Sequence, residues 1–215
     1  MGDQRIRLPL PLTTAIIFLM VDPKEKRYKW RRDDYRENTK GLLMLNTGDG
    51  KGKTTAAIGV LVRAAGRGMD CCMIQFMKSK NDRYGEHESF EKLGIEVHTM
   101  GDGFTWDTND RSQDIKTSED TWQLCVDKMR NGDYDVLVFD ELLYVLSYGF
   151  LDINKVIEEI RSVRTAHPHL HLILTGRNVE NALSAMIDEA DLVTEMVEIK
   201  HPFHKGIFAQ QGIEF

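Results

Sequence analysis

The sequence predicts an α/β fold in which a mostly parallel sheet, like that of P-loop NTPases, carries helices on both faces. Three observations predict it: near-continuous Val/Ile/Leu runs of strand length, helical periodicity between those runs, and a glycine-rich turn joining the first run to the first helix. Parallel strands covered on both sides read as unbroken apolar runs, whereas half-solvated strands alternate. With 215 residues and 41% hydrophobic content, the chain can core one domain and is short for two. That domain is expected over residues 41–215, behind an extension and basic segment over residues 1–40.

The elements follow in order. Residues 42–45 are a short apolar strand, and residues 56–63 read as helix beyond the glycine turn. Strands are expected at 70–76 and 95–100, with a short helix at 86–93 between them. After a loop at 101–110, rich in Gly, Asp and Thr, residues 113–130 keep helical periodicity through Trp122, Val126 and Met129. Residues 135–141 form a buried strand ending in the carboxylates Asp140 and Glu141. Asp152 caps a helix that runs to about Arg164, and residues 171–175 are another buried strand. A helix near 179–185 and a strand at 192–199 complete the pattern. Ligands of such sheets sit at the carboxyl ends of the strands. The topology therefore gathers the glycine turn, Phe104 to Trp106, Asp140-Glu141 and Thr175-Gly176-Arg177 along one edge.

The turn reads Thr47-Gly48-Asp49-Gly50-Lys51-Gly52-Lys53-Thr54-Thr55. Glycines let the backbone wrap closely enough for several N–H groups to face phosphate oxygens, and the following helix start adds partial positive charge. Lys53 would reach the phosphates and the Thr54 hydroxyl a magnesium ion. Against the usual G-x-x-x-x-G-K-[ST] pattern, Thr47 stands where the first glycine belongs, so the phosphate cradle is expected but an ordinary nucleotide pose is not. Asp140, after an apolar strand, is where such proteins hold magnesium, and Glu141 can bind metal or orient a nucleophile. The competing role for Asp140 is an ordinary helix cap.

Other features weigh less. A net charge of −6 gives no reason to expect nucleic acid as a partner. The three cysteines, Cys71 and Cys72 among them, form neither an even disulfide framework nor a metal spacing, so buried thiols in a reduced, cytoplasmic compartment are expected. Residues 12–21 are apolar but too few to span a bilayer, and no small-residue cleavage site follows them; no membrane partner is expected. This stretch is read as an extension of little consequence, or as sequence ahead of a start at Met20. Residues 24–40 hold eight Lys/Arg against four Asp/Glu, with Tyr28, Trp30 and Tyr35. They make either a solvated charged helix or a segment that folds over an anionic ligand. His167, His169 and His171 flank Pro168 in a loop without cysteine or carboxylate, and no metal is assigned there. His201 and His204 are read as surface or packing residues. Phe104 and Trp106 would on composition be core, yet their strand-end loop of Gly, Asp, Thr and Asn argues for a binding role.

Taken together, these residues resemble the P-loop ATP:corrinoid adenosyltransferases. The resemblance rests on Thr47 to Thr55, Gly103-Phe104-Thr105-Trp106-Asp107-Thr108, Asp140-Glu141-Leu142, Leu174-Thr175-Gly176-Arg177, His201-Pro202-Phe203 and Gln211-Gly212-Ile213-Glu214-Phe215. It implies transfer of the 5′-deoxyadenosyl group of ATP to the Co(I) centre of a reduced corrinoid, with triphosphate released. Cobalt itself is then the nucleophile. The resemblance implies ATP contacts along Gly48, Asp49, Gly50, Lys51, Gly52, Lys53, Thr54 and Thr55, in reversed polarity, with Glu141 also in the ATP site, Arg63 near the nucleoside and Arg177 near the phosphates. It places magnesium on Thr54 with Asp140 or Glu141, and makes Lys53, Phe104 and Trp106 the catalytic group, the two aromatics bordering the corrin ring and displacing its lower axial ligand. It further implies a homodimer in which residues 24–40 form a lid helix, and a reducing flavoprotein as electron source. Asp49 departs from the asparagine relatives often carry. Two rival readings are an ATPase or kinase that breaks the terminal phosphate bond, and a nucleotide-dependent corrinoid carrier that does no chemistry.

Overall fold

A computed structural model describes residues 39–79, 81–101 and 111–214 of the chain. Six strands, β1 (Leu43–Thr47), β2 (Cys71–Ser79), β3 (Glu96–Gly101), β4 (Val136–Asp140), β5 (His171–Thr175) and β6 (Leu192–Glu195), form one sheet in the order β3-β2-β4-β5-β1-β6. Every neighbouring pair is parallel. The connections are α1 (Lys53–Ala65), α2 (Gly85–Leu93), α3 (Arg111–Asn131), α4 (Leu142–Ser147), α5 (Ile153–Ala166) and α6 (Ser184–Glu189). The expected sheet with helices on both faces is what the chain builds.

Side-chain alternation along the strands sorts the core into two layers. Cys71, Met73, Val136, Val138 and Ile173 pack beneath Ala57, Leu61 and Ala64 of α1 and Phe90 of α2. Cys72, Ile74, Leu137, Phe139, Leu172 and Leu174 face the other way, onto α3, α4 and α5. Adjacent strand residues point to opposite faces, so Cys71 and Cys72 end in different layers. Burial pushes both thiols up to about 12 and holds Cys125, on α3, well above the usual thiol range.

Three boundaries differ from expectation for physical reasons. Helix α4 is absent from the sequence reading because Leu142 to Leu146 are all buried, which erases the amphipathic period that marks a helix. The helix expected at 179–185 begins instead as a 3-10 turn, Val179–Asn181, and resumes at Ser184, since Asn181 takes a φ of 57°. Strand β6 stops at Glu195 rather than 199 because Met196 leaves the ladder to pair with the glycine turn.

Asp152 caps α5 as its identity suggests: its carboxylate accepts from Asn154 N at 2.9 Å and Lys155 N at 3.4 Å. Val156, Ile157, Ile160 and Val163 then form the buried stripe of that helix. The Asp152→Ala variant is expected to lose about 1 kcal/mol of stability, visible as a lower urea midpoint with an unchanged slope.

Candidate active site

The glycine turn is built against the exit of β6. Met196 N donates to Thr47 O at 2.8 Å, and Gly50 N donates to Met196 O at 2.7 Å. Gly48 has a φ of 95°, and a Cβ there would stand 2.4 Å from Met196 O, so only glycine fits. Gly52, with a φ of 113°, opens α1 without a side-chain cap, and no acidic residue occupies the first turn. The first amides of α1 therefore keep their capacity for an anion. Lys53 Nζ curls into the turn and donates to Gly48 O and Gly50 O, both at 2.8 Å. Burial lowers its pKa, while Glu141 and Asp49 oppose that shift and Arg177 adds to it.

Beside the turn lies a buried carboxylate. Asp140 is 1% exposed, and its Oδ1 accepts from Thr54 Oγ1 at 2.8 Å and Thr175 Oγ1 at 2.7 Å. The Thr175 hydroxyl in turn accepts from Glu141 N at 2.9 Å. Asp140 Oδ2 is buried without a hydrogen-bond partner, as is Thr47 Oγ1. An orphaned carboxylate oxygen is costly unless something charged meets it. Burial raises Asp140 above its ordinary range and, with the charge of Asp140 behind it, pushes Glu141 up to about 7. Glu141 itself has a φ of 64°, a conformation uncommon outside glycine, where the chain turns from β4 into α4. A free carboxylate oxygen, a second carboxylate and a threonine hydroxyl make an oxygen donor set that suits a hard divalent cation such as magnesium.

Of the residues singled out from the sequence, the structure brings Gly48, Gly50, Gly52, Lys53, Thr54, Asp140 and Glu141 together. Arg177 follows β5, and its charge is felt at both Lys53 and Glu141. Asp49 and Lys51 are exposed on the turn, Lys51 paired with Glu214 of the C-terminal segment. Thr55 is exposed in the first turn of α1. Arg63 is not brought to the turn: it lies in the last turn of α1 and is exposed, ten residues, or about 15 Å of helix, beyond Lys53. Phe104 and Trp106 lie outside the described residues, as does the basic segment up to residue 38. His171 and His201 serve the backbone, accepting from Leu42 N at 3.2 Å and Phe203 N at 3.1 Å.

Sequence reasoning placed Thr175 at this edge without a role for its hydroxyl, which links the Asp140 carboxylate and the Glu141 backbone N–H to β5, and it missed Met196, whose backbone pairs with the turn. It also missed Lys78 and Glu86, an ion pair on the wall of a cavity of about 430 Å³ that opens beside Thr54 and Thr55. The available signal was Gln75 and Lys78, polar residues inside the apolar run of β2.

The raised pKa of Glu141 carries a sign. The native state holds this proton more tightly than the unfolded chain does, so stability falls as pH rises from the ordinary glutamate range, near 4.5, through about 7. Without added metal or nucleotide, the melting temperature of Glu141→Gln is expected to gain on that of the parent protein between pH 5 and pH 8. A difference independent of pH would contradict the burial argument.

The family model for ATP:corrinoid adenosyltransferases of the BtuR/CobO/CobP type matches residues 39–215. A corrinoid adenosyltransferase of a Sinorhizobium species is 41% identical over 184 residues, covering 84% of this chain and 83% of the relative. The corrinoid adenosyltransferase of Pseudomonas aeruginosa is 39% identical over 216 residues, covering 99% of this chain and 97% of its own, so that alignment reaches into the segment before Lys40. Among solved structures, the flagellar accessory protein FlaH of Methanocaldococcus jannaschii shares the fold, with a TM-score of 0.50 at 10% identity over 79% of each chain.

Proposed function

Since this chain belongs to the ATP:corrinoid adenosyltransferase family, we propose that its glycine turn holds the triphosphate of ATP as a leaving group. The enzyme transfers the 5′-deoxyadenosyl group of ATP to the cobalt of a reduced corrinoid. The cobalt electron pair attacks the 5′ carbon, the cobalt–carbon bond forms, and the bond from that carbon to the phosphate oxygen breaks. The electrons of the broken bond leave with the triphosphate, and Co(I) becomes formally Co(III). With the nucleophile supplied by the corrinoid, the protein's tasks are to aim the carbon and to receive developing charge on the leaving group. The observation that supports this division of labour most directly is Lys53, held inside the turn at 2.8 Å from two of its carbonyls, beside the uncapped start of α1.

Thr54, Asp140 and Glu141 would hold magnesium, which when bound offsets the charge of the triphosphate. The free Oδ2 of Asp140 is the atom that favours this assignment. Arg177 would steady the phosphates from the end of β5. By family resemblance, Phe104 and Trp106 would border the corrin ring and take the place of its lower axial ligand. A homodimer in which residues 24–40 cover the corrinoid, and a flavoprotein that delivers electrons in the cytoplasm, complete the reading. Among the described residues no helix is long and apolar enough to cross a membrane.

Anaerobic incubation with ATP and chemically reduced cobalamin tests the function. A light-sensitive organocobalt product together with tripolyphosphate is expected. ADP with orthophosphate would point to a terminal-phosphate enzyme, and unchanged ligands to a carrier. Lys53→Ala is expected to lower turnover by about a hundredfold or more, with its circular dichroism spectrum unchanged. Phe104→His is expected to slow the reaction from Co(II) more than from pre-formed Co(I), and equal slowing of both would remove the axial-ligand role.

A further inference from the structure

The strand that backs the glycine turn is the least covered part of the sheet. β6 is an edge strand, and its four residues, Leu192 to Glu195, are all exposed, whereas the five of β4 are all buried. Successive strand residues point to opposite faces, so β6 lacks cover on both faces. No strand among the described residues pairs with its outer side. The exposure continues past its end: Val197 and Ile199 are 65% and 82% exposed. Phe203 is exposed on the 3-10 turn Pro202–Lys205, which His204 ties back through a contact of 2.8 Å between its Nε2 and Glu198 Oε1. Of eleven exposed large apolar side chains among the described residues, eight fall within residues 192–213, so they gather in one stretch of chain. Single exposed apolar residues are ordinary, but a gathered set marks a surface that something covers.

A second apolar surface belongs to the same chain. Residues 12–21 carry no charge, and five of the ten, Thr13, Thr14, Ile16, Ile17 and Val21, are β-branched. Ten residues cannot span a bilayer. A run of this composition left in water invites aggregation, as does a bare sheet edge. Each hazard ends where the run lies on the edge. The entry of the chain into the domain favours this occupant. Lys40 Nζ pairs with Asp191, the residue just before β6, and the same carboxylate accepts from Leu43 N at 2.9 Å. The polypeptide therefore arrives at the foot of β6. Residues 22–38 separate the run from the first described residue, Thr39, and a tether of that length spans about 25 Å as helix and about twice that when extended. A four-residue strand is only about 13 Å long. A tethered segment is also present at an effective concentration of about a millimolar, which favours it over a free partner.

We propose that residues 12–21 are an intramolecular cover for this border of the sheet, lying along β6 and against Val197, Ile199 and Phe203. The cover braces the strand whose exit, at Met196, pairs with the glycine turn. The competing occupant is a second copy of the chain.

Hydrogen exchange on the full-length protein tests the assignment by comparing the parent with the double variant Ile16→Asp, Ile17→Asp. Amides of residues 192–199 are expected to exchange at least about tenfold faster in the variant, with those of β3, at the opposite edge, unchanged. Hundredfold dilution of the parent should leave its protection unaltered, because a tethered cover does not depend on protein concentration. Equal exchange in parent and variant would overturn the proposal. So would acceleration at β3 and β6 alike, which reports a loss of global stability. Protection that fades on dilution would overturn it too, by giving the border to a second copy. Photo-cross-linking from benzoylphenylalanine in place of Phe18 supplies a measurement that introduces no charge. Cross-links to residues 192–208 of the same molecule are expected, and cross-links elsewhere, or to another molecule, would remove the assignment.

Discussion

One carboxylate oxygen organises the active edge of this protein. Asp140 Oδ1 receives the hydroxyl of Thr54, at the start of α1, and the hydroxyl of Thr175, at the end of β5. Strand β4 ends at Asp140 itself, so three separate elements converge on a single acceptor. The convergence happens inside the protein, where a polar group without partners costs several times what a satisfied one contributes. Each hydroxyl is consequently committed in direction, and the turn between β1 and α1 inherits a fixed position relative to β4. The second oxygen of the same carboxylate is left without a protein partner. An atom so placed is what favours the cation proposed for this site.

Burial dominates the electrostatics of this edge. Burial disfavours the charged forms of Asp140, Glu141 and Lys53 alike. Lys53 settles against carbonyl oxygens, and Glu141 tends to keep a proton. A triphosphate with a divalent cation, as proposed above, would bring charges of both signs, which would favour the ionised forms of all three. Functional sites are often marked by groups whose surroundings suit a ligand better than they suit the empty protein. Away from the turn, Lys78 and Glu86 neutralise each other as a pair.

Much of this was legible in the sequence. The strand, turn and helix around Lys53 were readable because glycines, a lysine and threonines at that spacing have few other uses, and the apolar strands because both faces are covered. Asp140 was readable as the first charge after an apolar run. The role of the Thr175 hydroxyl was not, since a threonine at a strand end is commonplace until its hydroxyl is seen between the Asp140 carboxylate and the Glu141 backbone N–H. Glu86 escaped because its role depends on the packing of α2 against β2, which no local pattern encodes. Arg63 is a different case: family pattern suggested nearness to the nucleoside, and its place in the last turn of α1 sets it far along the helix axis from the glycine turn. Helix α4 stayed hidden because complete burial leaves no polar face to reveal a period.

The three cysteines have a meaning beyond packing. A thiolate, unlike a thiol, is a soft ligand and a ready reductant partner. With Cys71 and Cys72 held at about 12 and Cys125 well above the usual thiol range, the protein presents essentially no thiolate at neutral pH. A low-valent cobalt centre is soft and strongly reducing, and a sulfur anion nearby would compete for its coordination or be drawn into side reactions. By sealing its sulfur within two apolar layers, the chain stays chemically silent toward the metal it is built to alkylate.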